Sequence, residues 1–472
     1  MTETIAALAT PPGRGGIGVI RISGPAVQAI AMTVLGEVPK VRFAQYHSFK
    51  SEDEILDQGL ALFFKAPHSF TGEDVLELQG HGSPVVMDRL LKHVINLGAR
   101  MARPGEFSER AFLNDKIDLV QAEAIADLID SSSEQAARAA MRSLQGDFSR
   151  EIDTLKQALI RLRVYVEAAL DFPDEDIDFL TQGHVFEQIK ELLERLNTIK
   201  THAQQGVLLH EGIHLVIVGP PNAGKSSLMN RLSGRDSAIV TDIPGTTRDV
   251  LREQLNINGI PIHLSDTAGL RDSIDPVEQE GIRRAHLECE RADLILFMID
   301  RPFLTLFNNT EGCTNATTRI GTAFSIIEQC QKWYNEFNQI IPKFNKKIPI
   351  IFIRNKIDLT NELPLKRTEN KISLVHLSAK TGAGLDELKT AIVEAIGTTS
   401  NVEGAWGARS RHLIKLSHTE ACLRNALEEG AKAPELLAED LKCAHQHLCE
   451  ITGEWGVDEL LGEIFSSFCI GK

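Results

Sequence analysis

A glycine-rich loop between a strand-like run and a helix-like run narrows the choice of fold more than any other part of this sequence. Residues 219–226 read GPPNAGKS, which has the spacing G-x-x-x-x-G-K-S. Glycines let backbone N–H groups surround phosphate oxygens, the lysine adds charge at the β- and γ-phosphates, and the serine hydroxyl can ligate Mg²⁺. The context therefore predicts a P-loop domain, with Lys225 on the phosphates and Ser226 on Mg²⁺.

Three further elements follow in the order that a GTPase needs. Thr246 to Asp249 can place the Thr247 hydroxyl on Mg²⁺, and Asp266 to Gly269 ends a predicted strand. Asn355 to Asp358 and Ser378 to Lys380 follow two later strands. The Asp358 carboxylate can accept two hydrogen bonds from guanine, whereas adenine has no donors there, so the sequence predicts GTP rather than ATP.

One absence shapes the expected mechanism. Leu270 stands where Ras-like GTPases carry the glutamine that positions the attacking water, and an apolar side chain cannot do this. Arg248 and Arg271 lie nearby, but surface arginines are commonly solvated or paired, and we interpret both as switch residues. Another group must therefore supply positive charge and orient the water.

The chain divides into four stretches, and its 472 residues suggest about three domains. We predict an α+β domain over 1–117, helical segments over 118–210 and 398–472, and an α/β domain over 211–397. The α/β unit is predicted as an insertion, with both helical flanks packing as one domain. In the first flank, apolar residues from Leu144 to Leu170 recur at helical spacing and predict one long helix. The strands predicted in the insertion are His214–Gly219, Pro261–Asp266, Ala292–Asp300, Pro349–Asn355 and Ser373–Ser378.

Charge and composition limit the partners. The net charge of −15 excludes binding of nucleic acid through bulk charge, so RNA contact needs a local basic patch or a partner. We find no apolar run of membrane-spanning length and no signal peptide. The odd count of seven scattered cysteines suits a reducing compartment, and we expect a cytoplasmic protein.

Several longer runs resemble one family, the bacterial tRNA modification GTPases MnmE (TrmE). The runs are Ala9 to Gly16, Gly72 to Gly82, Arg103 to Phe112, Gly219 to Asp249, and the terminal Cys469-Ile470-Gly471-Lys472, which is similar to the family's C-x-G-K. The resemblance covers nearly the whole chain. It implies a Ras-like G domain inserted in a helical domain, behind an N-terminal folate-binding domain through which the protein forms a homodimer.

The resemblance also implies how GTP is hydrolysed. The two G domains of the dimer meet across their nucleotides, and K⁺ supplies the charge of an arginine finger from ligands at Asn222, Thr241, Ile243 and Thr246. Glu278 would be the catalytic residue that orients water. From the residues alone, a loop-stabilising hydrogen bond is the alternative role for Asn222, and Glu278 reads as a solvated helix charge. The full set of expected GTP contacts is Asn222, Ala223, Gly224, Lys225, Ser226, Ser227, Thr241, Asp242, Ile243, Pro244, Gly245, Thr246, Thr247, Asp266, Thr267, Ala268, Gly269, Asn355, Lys356, Ile357, Asp358, Ser378, Ala379 and Lys380.

A folate site is implied in the same way, by family position. Arg21, Glu77, Lys116 and Lys472 match the contacts to a tetrahydrofolate derivative, the 5,10-methylene or 5-formyl form. A pterin offers donors to a carboxylate and its glutamate tail attracts cations. Alternation along the strands gives Arg21 and Glu77 a plainer interpretation, as polar strand faces.

The implied reaction adds an aminomethyl or carboxymethylaminomethyl group to carbon 5 of the wobble uridine of tRNA. It requires an FAD-dependent partner, MnmG (GidA), in a heterotetramer. The alternative function is a ribosome-assembly GTPase that acts as a binding switch without folate chemistry. Such a protein would be expected to carry a basic RNA-binding module, and the N-terminal 117 residues do not resemble one.

Three features remain open. Cys469 is either a nucleophile near the folate carbon or a small buried residue. Residues 443–449 read CAHQHLC, but their i,i+4 pairs lie on nearly opposite helix faces, so we expect no metal site within this run. Residues 301–347 exceed the family's usual length and are expected to form a surface extension of unknown contact.

Overall fold

The computed structural model describes residues 3–52, 54–171, 184–220, 222–236, 253–266, 291–299, 348–369, 372–397, 404–430, 433–454, 464–465, 468 and 471. The chain divides into two compact units. Unit 1 comprises residues 1–129, 141–200 and 411–472, and unit 2 comprises residues 130–140 and 201–410. Within the described residues, no helix has both the length and the apolar character of a membrane span.

Both units contain strands and helices. The strands are β1 (Ile5–Leu8), β2 (Gly18–Ser23), β3 (Gln45–Ser51), β4 (Glu54–Phe64), β5 (Val75–Gly80), β6 (Arg100–Met101), β7 (Ile213–Val218), β8 (Glu253–Ile257), β9 (Ile260–Asp266), β10 (Leu294–Ile299), β11 (Ile350–Arg354), β12 (Leu365–Glu369) and β13 (Ile372–His376). The helices are α1 (Val27–Leu35), α2 (Pro84–Asn96), α3 (Glu106–Leu113), α4 (Leu119–Asp130), α5 (Glu134–Leu144), α6 (Asp147–Asp171), α7 (Val185–Glu211), α8 (Lys225–Asp236), α9 (Leu385–Ala395), α10 (Ser410–Glu429) and α11 (Pro434–Thr452).

Unit 1 begins with a six-stranded sheet in the order β3-β4-β5-β2-β1-β6. The strands pair antiparallel except β1 with β6. Ile20 and Ile22 of β2 and Leu76 and Leu78 of β5 are buried in one core with α1 and α2. The intervening polar residues of β2 and β5 therefore lie on the other face, because successive strand residues point to opposite sides. The predicted α+β character of this region is confirmed.

The helical part of unit 1 corrects one predicted element. The long helix predicted from Leu144 to Leu170 begins later than predicted, at Asp147 (α6), and Leu144 is instead the last residue of α5. Gly146 between them has a φ of +84°, which ends a helix readily. The side-chain amide of Gln121 donates from Nε2 to the Leu144 carbonyl at 3.0 Å and satisfies the helix end. The apolar face of α6 is buried as predicted, with Phe148, Ile152, Leu155, Leu159, Leu162 and Val166.

A buried ion pair ties the two helical flanks of unit 1 together. Glu123 of α4 is 1% exposed and accepts hydrogen bonds from Arg411 Nε at 2.7 Å and Nη2 at 2.8 Å. His412 Nε2 lies 3.0 Å from the same carboxylate. Burial opposes ionisation of Glu123, but the charges and hydrogen bonds of His412 and Arg411 outweigh it and hold the pKa of Glu123 well below its usual range. Glu123 and Arg411, which are 288 positions apart in the sequence, are thus joined by direct hydrogen bonds.

Removing the Glu123 charge should destabilise unit 1. Glu123→Gln leaves the partly buried guanidinium of Arg411 without its counter-ion, and we expect the free energy of unfolding at neutral pH to fall by about 3–5 kcal/mol. Because the folded pKa is lowered, this stability is present above the ordinary carboxyl pKa and is lost as pH falls through the folded value. Urea denaturation at neutral and acidic pH measures both effects.

The matched control is Glu54→Gln. Glu54 pairs with Arg89 at 2.7 Å, but both side chains are at least half exposed, so its removal should cost far less stability than removal of the Glu123 charge. Equal losses for the two variants would show that the Glu123 pair does not hold the flanks together.

Unit 2 contains a seven-stranded sheet in the order β12-β13-β11-β10-β7-β9-β8. Five central strands are parallel, and the two edge strands, β12 and β8, are antiparallel. The five strands predicted for the insertion are the five parallel strands, so the predicted α/β fold is confirmed. Their carboxyl ends share one edge of the sheet, which is where open α/β sheets bind ligands.

Candidate functional site

The P-loop connects the end of β7 to the start of α8. Gly219 and Gly224 have φ values of +156° and +97°. A Cβ on Gly224 would lie 2.2 Å from Asn355 Nδ2, and one on Gly219 would lie 2.6 Å from the Met298 carbonyl oxygen. The two glycines therefore permit close approach to neighbouring strands as well as the left-handed turn.

The loop places a helix N-terminus and a lysine at this edge of the sheet. Helix α8 begins at Lys225, so the N–H groups of Lys225, Ser226 and Ser227 belong to its first turn, where a helix binds anions. Lys225 Nζ donates to the carbonyls of Gly219 at 3.0 Å and Pro220 at 3.1 Å. The ammonium group thus lies across the loop in which phosphates are predicted to bind.

A buried amide joins the three described nucleotide motifs. Asn355 follows β11 and is 6% exposed. Its Nδ2 donates to the Ala223 carbonyl at 2.7 Å, and its Oδ1 accepts from the Ala379 N–H at 2.9 Å. The P-loop, the Asn355 segment and the Ser378 segment therefore form one connected structure.

The neighbouring residues fix the predicted base-recognition carboxylate. Lys356 takes a left-handed φ of +66°, and its Nζ donates to the Asn222 carbonyl at 2.8 Å. Asp358 Oδ1 accepts from Ser378 Oγ at 2.6 Å. Asp358 is half-buried, so its carboxylate is held in place while remaining accessible to a base.

Some predicted residues lie outside the described part of the chain. Asp266 is the last residue of β9 and pairs in register with Ile217 of β7, beside the P-loop, but its side chain is not described. Thr241, Asp242, Ile243, Pro244, Gly245, Thr246, Thr247, Thr267, Ala268, Gly269, Glu278, Cys469 and Lys472 are not described, and their roles stay predictions. The extension predicted over 301–347 is also outside the described residues.

A second polar site lies on the sheet of unit 1. Arg21 and Glu77 face each other across β2 and β5, with Arg21 Nη2 2.8 Å from Glu77 Oε1. The Arg21 guanidinium carbon lies 5.9 Å from the Phe70 ring centroid and 5.7 Å from that of Phe107. The pair is 26% and 17% exposed, respectively, so it can still contact a ligand.

The chain's last segment reaches this second site. Arg21 Nη1 lies 3.5 Å from the Gly471 carbonyl oxygen, although the residues are 450 positions apart. Gly471 has a φ of +100°, and a Cβ there would lie 2.5 Å from the Leu8 carbonyl oxygen. Lys116 is exposed, and its Cε lies 3.1 Å from where a Cβ on Gly72 would stand. The structure thus joins Arg21, Glu77 and the terminal segment, and places Lys116 against the loop that contains Phe70.

Sequence reasoning missed several contributors to both sites. Arg231 of α8 donates from Nε to the Ala379 carbonyl at 3.3 Å and from Nη2 to the Lys380 carbonyl, so it supports the Ser378 segment. Phe70 and Phe107 flank Arg21. No spacing signal identifies these residues, because each contact depends on tertiary packing.

The nucleotide motifs and the parallel sheet define the class of protein as a P-loop GTPase. A family model described as the MnmE helical domain matches residues 119–469. A model described as the GTP-binding protein TrmE N-terminus matches residues 4–116. The chain belongs to the MnmE (TrmE) family, and it is a GTP-hydrolysing enzyme of the tRNA modification GTPase class.

Parts of the chain are also similar to solved GTPase structures. The G domain of the Thermotoga maritima (T. maritima) FeoB iron transporter is 26% identical over 39% of this chain and 98% of that one, with a TM-score of 0.24. A point variant of Aquifex aeolicus Era bound to GDP and aluminium fluoride is 27% identical over 44% of this chain and 66% of that one, with a TM-score of 0.25.

Replacing Asp358 should weaken the preference for guanine. Asp358→Asn removes two charge-assisted hydrogen bonds of about 1.5–3 kcal/mol each, so we expect GTP affinity to fall by about 10²-fold or more. Competition of GTP and ATP against a fluorescent guanine nucleotide measures this. The control is Asp386→Asn, at an exposed position in the first turn of α9, which should bind GTP like the wild type. Unchanged GTP selectivity in Asp358→Asn would contradict the assignment.

Proposed function

We propose that this protein is a potassium-dependent GTPase that acts on tRNA with an FAD-dependent MnmG (GidA) partner. Together they would add a (carboxymethyl)aminomethyl group to carbon 5 of the wobble uridine, using a tetrahydrofolate one-carbon unit. The observation that carries the proposal is the Asn355 junction of three nucleotide motifs in a chain whose remaining segments match the MnmE family.

The nucleotide chemistry rests on oxygen ligands around the P-loop. Ser226, in the first turn of α8, would hold Mg²⁺ together with Thr247. Asn222 is exposed in the loop, and its amide oxygen suits a K⁺ ion shared with Thr241, Ile243 and Thr246. When bound beside the β- and γ-phosphates, K⁺ would supply the positive charge that an arginine finger supplies in other GTPases.

Pairing of G domains would complete the hydrolytic site. Glu278 would orient the attacking water, a role that Leu270 cannot fill. Binding and hydrolysis would then order and release the switch loops and move domains, rather than make bonds on the RNA.

The folate chemistry rests on the second polar site. The Glu77 carboxylate can accept hydrogen bonds from a pterin, and Arg21 holds that carboxylate in place. Lys116 and Lys472 would attract the anionic glutamate tail. The contact of Arg21 with Gly471 supports a role for the terminal segment, including Cys469 as a candidate thiol nucleophile.

The negative charge of the chain supports the proposal that the partner subunit binds most of the RNA. With a net charge of −15, this protein need not carry the main RNA-binding surface, which the partner would provide. We propose a homodimer formed through the N-terminal domain, a heterotetramer with the partner, and a cytoplasmic location. The family assignment favours this function over the alternative of a ribosome-assembly switch.

Potassium should accelerate GTP hydrolysis. We expect turnover at least about tenfold faster in KCl than in NaCl at equal ionic strength, because oxygen ligands spaced for K⁺ would bind the smaller Na⁺ less well. Nucleotide affinity measured in both salts is the control, and it should change little. Equal turnover in the two salts would rule out the potassium mechanism.

Folate binding should depend on Glu77. Isothermal titration with 5-formyl-tetrahydrofolate should give binding to the wild type and about tenfold to hundredfold weaker binding to Glu77→Gln, which loses charge-assisted hydrogen bonds. Glu54→Gln, an exposed change in the same sheet, should bind like the wild type. If the wild type does not bind, the ribosome-assembly alternative is favoured instead.

A further inference from the structure

Three metal-ligating side chains converge in the helical part of unit 1. Cys422 lies on α10, and Cys443 and His447 lie one turn apart on α11. One potential ligand atom from each lies within 4.8 Å of the other two. Cys443 Sγ is 3.6 Å from His447 Nε2.

The two helices are held together next to this cluster. Arg411 of α10 donates from Nη1 to the Glu450 carbonyl of α11 at 3.2 Å, and Lys415 pairs with the Glu450 carboxylate. Cys443 and His447 share a face of α11 because residues four apart are neighbours on a helix. The third ligand comes from the adjacent helix, so a search within residues 443–449 alone could not find this group.

The distances suit zinc. Zn–S and Zn–N bonds of about 2.3 and 2.0–2.1 Å in a tetrahedron place sulfur and nitrogen about 3.6 Å apart. This is the separation of Cys443 Sγ and His447 Nε2. Two thiolates and an imidazole are soft and borderline ligands that favour Zn²⁺ over Mg²⁺ or Ca²⁺.

A fourth ligand is available from α10. His418 precedes Cys422 by four residues and therefore shares its helix face. The His418 ring centroid lies 5.0 Å from that of His447. A rotation of the exposed His418 side chain would complete a Cys₂His₂ set.

We propose that Cys422, Cys443, His447 and His418 form a zinc site that fastens α10 to α11. The proposed GTPase and folate functions do not require this site, and its test is independent of them. Zinc bound there would protect both thiolates from alkylating reagents, because the metal holds their electron pairs.

The same helix provides a matched control pair. His445 and Cys449 have the same spacing as Cys443 and His447, and their Nε2 and Sγ atoms are 3.5 Å apart. His445 Nδ1 lies 3.2 Å from Arg163 Nη1 of α6. In the part of the chain that the structure describes, no other cysteine, histidine or carboxylate joins this pair in a metal-sized group.

The test is differential alkylation of the reduced, metal-free full chain with N-ethylmaleimide, with and without ZnCl₂, followed by peptide mass spectrometry. We expect zinc to lower the alkylation of Cys422 and Cys443 at least about tenfold, as expected for thiolates held by a metal. The protection should be lost in His447→Ala and retained in His445→Ala. Fragment-ion sequencing assigns alkylation to each cysteine, so Cys449 of the control pair and Cys289, Cys313, Cys330 and Cys469 are quantified individually and zinc on other thiols does not enter the result.

Circular dichroism checks that each variant is folded. A second readout is thermal unfolding, in which zinc should raise the Tm of the wild type and of His445→Ala but not of His447→Ala. Equal alkylation of Cys422 and Cys443 with and without zinc would overturn the proposal. Protection that persists unchanged in His447→Ala would overturn it as well.

Discussion

The two hydrogen bonds of the Asn355 side chain join the segments of the predicted nucleotide site. They connect the P-loop at Ala223 to the Ser378 segment at Ala379, so the predicted phosphate end and the predicted base end have a fixed separation. Because the amide is buried, each lost bond would leave a buried polar group unpaired, at a cost of about 1–3 kcal/mol. The close packing of Gly224 against the same amide explains why this loop position needs glycine.

In unit 1 a buried charged group, rather than a neutral amide, joins separate segments of the chain. A buried carboxylate, Glu123, joins residues from two flanks of the chain through Arg411, and the terminal segment returns to Arg21 on the sheet. Each of these two contacts thus joins chain segments that are far apart in sequence. Such a unit can hold the polar Arg21–Glu77 pair in place although unit 2 is inserted between its flanks in the sequence.

The parts of the fold that could be predicted are those with strong local signals. The five parallel strands are short apolar runs bounded by motifs, as expected for strands buried on both faces. The edge strands β8 and β12 were missed because polar residues such as Gln254 and Arg367 give them no apolar run. The break at Gly146 was missed because apolar spacing continues across it from Leu144 to Phe148.

Motif spacing likewise predicted the P-loop, Asn355 and Asp358, because these residues are consecutive or bounded by strands. It could not identify Arg231, Phe70 or the meeting of Cys422 with Cys443, because those contacts join separate helices or loops. Arg21 and Glu77 were predicted as folate contacts by family resemblance alone, since alternating polar residues of a strand are equally typical of a solvated face, and their role in folate binding stays a prediction.

The sharpest test of the role of Asn355 is the affinity of Asn355→Ala for a fluorescent guanine nucleotide, with Asn230→Ala at an exposed position of α8 as the control. Loss of both bridging hydrogen bonds should raise the Kd at least about tenfold, while the control should bind like the wild type. If Asn355→Ala remains folded and binds the nucleotide with unchanged Kd, the amide does not hold the site together.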